Sequence, residues 1–148
     1  MNTILFLCSG NYYRSRFSEI YFNHHAAKLK LPWRAESRGF RLFAGNVGPI
    51  SPHAISGLKR LGLSTPDPNR FPLAAVEADF LQASHVVAVK EAEHRPMMRT
   101  YFPAHENHVE YWHIDDVDAA EPVDALTRLE KRLDDLLRRF ADPPRPHA

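Results

Sequence analysis

The feature that most limits what this chain can fold into is a short apolar run rich in strand formers, Thr3-Ile4-Leu5-Phe6-Leu7, cut off by the turn-forming stretch Cys8-Ser9-Gly10-Asn11. The run reads as a buried strand. Beyond the turn, Phe17, Ile20, Tyr21 and His24 fall at helical spacing, which predicts a helix from about residue 15 to residue 30. A second unbroken run, His85-Val86-Val87-Ala88-Val89, has no polar alternation, the mark of a strand covered on both faces in a parallel sheet.

Strand and helix signals alternate along the rest of the chain. Residues 33–37 and 108–114 are further strand candidates, and residues 38–50 form a long loop without a period. Ser51-Pro52 supplies a cap and a first-turn proline for a helix with an Ile55, Leu58, Leu61 face, ended by Gly62. Shorter helices are expected at 72–81 and 91–101, the latter disturbed by Pro96. After Pro122, Val123, Leu126, Leu129, Leu133, Leu136, Leu137 and Phe140 make a core-facing stripe. The expected fold is a single three-layer α/β domain at 1–141, with a four-stranded parallel sheet, helices on both faces and a phosphate-binding loop after the first strand; residues 142–148 form a flexible tail.

Composition excludes several classes. Hydrophobic residues are 44% and no apolar stretch is long enough to span a membrane, while 19 basic against 18 acidic residues give no nucleic-acid footprint. The single cysteine rules out an internal disulfide, and the first residues lack a secretory pattern, so the expected location is cytoplasmic.

The chemistry is concentrated where the first strand delivers Cys8 to the start of a helix. Backbone N–H groups and the positive end of the helix dipole favour a thiolate there, and they equally favour a phosphate. Arg14, six residues on, can grip two phosphate oxygens with its planar fork. One loop thus offers a nucleophile, an anion cradle and a clamp for the transition state.

The run Cys8-Ser9-Gly10-Asn11-Tyr12-Tyr13-Arg14-Ser15 resembles the signature of the low-molecular-weight protein tyrosine phosphatases, and Ser18-Glu19 extends the match. Glu36-Ser37-Arg38-Gly39 is similar to that family's second-strand segment, and the stretch from Gly48 to Gly62 to its second helix. The resemblance implies hydrolysis of phosphotyrosine in proteins through a phosphocysteine intermediate, without metal or cofactor. It makes Cys8 the nucleophile, Arg14 the clamp, Ser15 a hydroxyl that stabilises the thiolate and Asn11 a brace, with Ser9, Gly10, Tyr12 and Tyr13 completing the substrate loop. It points to Asp116 as the general acid, although Val117 stands where the family usually has proline and leaves Asp115 and Asp118 as competitors. Its expected partners are a phosphorylated protein substrate and phosphate or another oxyanion.

Two other readings compete. Loss of the acid would make the chain a phosphate-binding pseudophosphatase, and the unusual Tyr12 leaves phosphoarginine open as the substrate group. Nine histidines raise the question of a metal, but no helical pair has ligand spacing with a third partner. Arg34, Arg38 and Arg41 are either attractors for an anionic substrate or part of a bias that gives this chain fourteen arginines against five lysines.

Overall fold

The computed structural model describes residues 1–64, 67–116 and 121–142. Four parallel strands stand in the order β2-β1-β3-β4, namely β1 (Asn2–Cys8), β2 (Trp33–Gly39), β3 (His85–Ala88) and β4 (Glu110–Tyr111). β1 pairs with β2 from Asn2↔Trp33 to Cys8↔Gly39 and with β3 from Ile4↔His85 to Leu7↔Ala88. Its residues alternate between two cores. Ile4, Phe6 and Cys8 face one apolar cluster, Leu5 and Leu7 the other.

The first cluster lies under α1 (Arg14–Lys28), α2 (Pro52–Arg60) and α5 (Pro122–Ala141), and the second under α3 (Glu77–Gln82) and α4 (Glu91–Tyr101). The leucine stripe of α5 is buried at Leu126, Leu129, Leu133, Leu136 and Leu137, and Phe140 stacks on Trp33 at 3.9 Å. α2 begins with the Ser51 hydroxyl accepting from His53 N–H. It ends with Gly62 at φ 76°, where Gly62 N–H bonds Lys59 O and Leu63 N–H bonds Leu58 O, a stop that suits glycine.

Several expectations need correction. The helix expected from residue 72 starts only at Glu77, because Ala74 pairs with Gly39 and holds the preceding segment extended. The last strand is two residues long, preceded by a 3₁₀ helix (Pro103–His108). His24 is exposed, and Phe22 and Ala26 fill the inner face of α1 instead. α4 runs through Pro96. No described helix is long and apolar enough to cross a membrane. Residues 143–148, most of the expected tail, lie outside the described residues, as do Val117 and Asp118.

Candidate active site

The loop after β1 is held from every side. Phe40 N–H donates to Cys8 O, Arg41 N–H to Ser9 O and Ser51 N–H to Tyr12 O, at 3.2, 2.9 and 2.8 Å. At the end of β2 a Cβ on Gly39 would come within 2.8 Å of Asn11 N, so only glycine lets this strand lie under the loop. Asn11 is buried at φ 52°, a left-handed conformation that asparagine tolerates. Its Nδ2 donates to Ser15 Oγ and Ser37 Oγ, both at 2.9 Å, while its Oδ1 accepts from Arg70 Nη1 and Leu73 N–H, both at 3.0 Å.

These directions orient the thiol's partner. Ser15 Oγ is 2.9 Å from Cys8 Sγ and accepts from Asn11 Nδ2; once the sulfur is a thiolate it can only accept, and the Ser15 hydrogen then lies between the two. Ser37, likewise an acceptor from Asn11, donates to Glu19, which also pairs with Arg16.

Arg14 is buried, and the protein engages four of its five N–H groups. Nη1 donates to Glu93 Oε2 at 3.3 Å and Ile114 O at 2.9 Å; Nη2 donates to Glu93 Oε1 at 3.0 Å and, at the limit of bonding, to Asp116 Oδ2 at 3.5 Å. The end of the guanidinium is thereby fixed, and its Nε side and the loosely held Nη2 hydrogen remain for an anion. Burial opposes the charge of Arg14, but Cys8, Glu93 and Asp116 outweigh it and raise its pKa. Glu93 is held well below the usual carboxylate range by His94, Arg14 and Ser9, against its partial burial.

A cavity of about 440 Å³ opens over this loop, lined by Cys8, Ser9, Gly10, Tyr12, Tyr13 and Arg14 from the loop, by Arg41, Phe43, His53 and neighbouring residues, and by Asp116 from the far side. Of the expected site residues, Asn11 and Ser15 brace the loop from beneath and the others line the cavity. Tyr12 forms a wall, its hydroxyl bonded to Val47 O at 2.6 Å; Tyr13 is buried, with its pKa pushed up to about 12 by burial and then by Asp116. Asp115 turns instead to Lys90 Nζ at 2.7 Å. Of the three arginines considered, Arg41 alone lines the cavity, whereas Arg38 pairs with Asp79 and Glu36, and Arg34 with Glu36. No group of histidine, cysteine or acidic residues able to hold a metal occurs among the described residues.

Sequence reasoning gave no role to Arg70, Glu93 or His94. The signal available for the last two was their place just beyond the carboxyl end of β3, where ligands gather in open parallel sheets.

A cysteine at the end of the first strand, an anion-binding loop and a fixed arginine on this sheet define the class of cysteine-based phosphatases. The family model "Low molecular weight phosphotyrosine protein phosphatase" matches residues 3–142, and the chain belongs to that family. The low molecular weight protein tyrosine phosphatase from T. tengcongensis is 21% identical with a TM-score of 0.79, over 94% of this chain and 99% of that one. The YwlE arginine phosphatase from Geobacillus stearothermophilus is 22% identical, with a TM-score of 0.71 over 95% and 91% of the two chains. Vibrio vulnificus Wzb, solved with benzylphosphonate, is 17% identical, with a TM-score of 0.72 over 95% and 97%. At such identities the likeness is one of fold. No curated protein sequence gives a match.

Proposed function

We propose that the chain hydrolyses phosphotyrosine in cytoplasmic proteins through a phosphocysteine intermediate. The observation that carries this reading is the sharing of one cavity by the chain's only thiol, 2.9 Å from the Ser15 hydroxyl, by Arg14 and by Asp116. The Cys8 thiolate attacks phosphorus as the bond to the phenolic oxygen breaks; Arg14 and the loop amides stabilise the equatorial oxygens, and Asp116 gives its proton to the leaving oxygen. Asp116 then takes a proton from the water that cleaves the P–S bond, releasing phosphate and restoring the thiolate. Aromatic walls from Tyr12, Tyr13 and Phe43 suit a phenyl ring.

The test is p-nitrophenyl phosphate turnover by the wild type and by Cys8→Ser. Cys8→Ser should retain the fold and phosphate binding and lose essentially all turnover; near-wild-type activity would refute the phosphocysteine route. Peptides carrying phosphotyrosine or phosphoarginine then distinguish the substrate group. An aspartate inside the cavity speaks against a pseudophosphatase, the reading that vanadate binding without turnover by the wild type would establish.

A further inference from the structure

His94, on the first turn of α4, is completely buried and stacks on Phe40 with ring centroids 5.6 Å apart. Its hydrogen bonds have only one consistent direction. Lys90 N–H can only donate and lies 3.1 Å from Nδ1, so Nδ1 accepts and the proton of the neutral ring is on Nε2. Nε2 is 3.1 Å from Ser9 Oγ and 3.5 Å from Glu93 Oε1. The Glu93 carboxylate can only accept, so Ser9 O–H donates to it and Ser9 Oγ receives the Nε2 hydrogen. The chain of donors continues to Arg14, whose Nη1 and Nη2 both bind Glu93.

We propose that His94 is a positioning residue for phosphoryl transfer: as the Nε2–H tautomer it fixes Ser9 and Glu93, and through Glu93 it aims the free side of the Arg14 guanidinium at the phosphate. The proposal rests on the reading of the loop as a phosphatase site. Burial, which lowers the basicity of the ring, agrees with a neutral His94. Because Arg14 grips the equatorial oxygens most strongly as charge redistributes in the transition state, a loosened guanidinium costs kcat more than KM.

Two near-isosteres separate this role from simple packing. In His94→Asn, Oδ1 replaces Nδ1 as the acceptor for Lys90 N–H, but the side chain is too short to reach Ser9. In His94→Gln, the terminal amide reaches Ser9 as a donor. His94→Asn should keep the wild-type melting temperature within a few degrees yet lose about tenfold in kcat on p-nitrophenyl phosphate, with little change in KM, while His94→Gln retains most of kcat. In a Ser9→Ala background His94→Asn should cost little more, because the path through Ser9 is already cut. Wild-type kcat in His94→Asn, equal losses in the Asn and Gln variants, or losses that multiply in the double variant would each overturn the proposal. If His94→Asn does not fold, Ser9→Ala alone decides, with a tenfold loss of kcat supporting the path and unchanged kcat refuting it. Should the wild type turn nothing over, the proposed function fails by itself; weaker vanadate binding in His94→Asn than in His94→Gln would still support the positioning role, and equal binding would end it.

Discussion

Asn11 offers the sharpest quantitative test of how the loop is held. Replacing it by Ala removes four hydrogen bonds, each worth about 1 kcal/mol net, and strands the Leu73 N–H, since Arg70 keeps Ser37 O and Phe71 O as partners. Alanine at φ 52° adds about 1 kcal/mol of backbone cost. These contributions are not fully additive, and a loss of about 4–6 kcal/mol is expected. For a chain of this size each kcal/mol moves Tm by about 2–4 °C, so Asn11→Ala should melt roughly 10–20 °C lower by circular dichroism. Asn11→Gly, free of the backbone cost, should recover about 3 °C of that. Asn11→Asp tests orientation rather than stability. It keeps the acceptor for Arg70 and Leu73 but no longer donates to Ser15, whose hydrogen then turns from sulfur to carboxylate. Tm should fall by only a few degrees while p-nitrophenyl phosphate turnover falls at least tenfold, at a cost of about 1.4 kcal/mol in the barrier. An Asn11→Ala melting point within about 3 °C of wild type, or full activity in Asn11→Asp, would refute the account.

Asp116→Asn should slow phenyl phosphate by about 10²–10⁴-fold and p-nitrophenyl phosphate far less, because the better leaving group needs less protonation; Asp115→Asn, which loses only the Lys90 pair, should be mild with both substrates. A leaving-group-dependent loss in Asp115→Asn or Asp118→Asn instead would move the acid. Arg14→Lys should reduce kcat by about 10²-fold or more, since an ammonium reproduces neither the Glu93 chelate nor the forked grip, and full activity with Lys would show Arg14 to be structural. Glu110 is partly buried, which alone would raise its pKa, but hydrogen bonds from His85, Arg139 and Trp112 bring it down to about 2. Its stabilisation is therefore complete above about pH 4.5 and is lost as pH falls toward 2, so Glu110→Gln should melt several degrees below wild type at pH 7, a gap that closes in acid. A gap that persists unchanged at pH 2.5 would refute that linkage.

What could be read from the sequence was local. The run before Cys8, the Ser51-Pro52 start and Gly62 stop of α2 and the leucine stripe of α5 each place their signal within one turn or one strand. Residues 72–76 misled because their conformation is set by pairing with Gly39, far away in sequence. Within the site, the loop was legible and its supports were not: Arg70 meets Asn11 across 59 positions, and Glu93 meets Arg14 across 79. No period or motif carries such contacts, which depend on strand order and register.

The span of these contacts has a consequence for the protein during its synthesis. Cys8, its loop and Arg14 all fall within the run Cys8–Ser15, but Arg14 finds Ile114 and Asp116 at separations of 100 and 102. A nascent chain therefore exposes the thiol long before it has either the carboxylates that hold the arginine or the aspartate that faces it. On the proposed function, competence arrives only after β4 has docked on β3, and a chain truncated before residue 110 should carry the entire loop and remain silent.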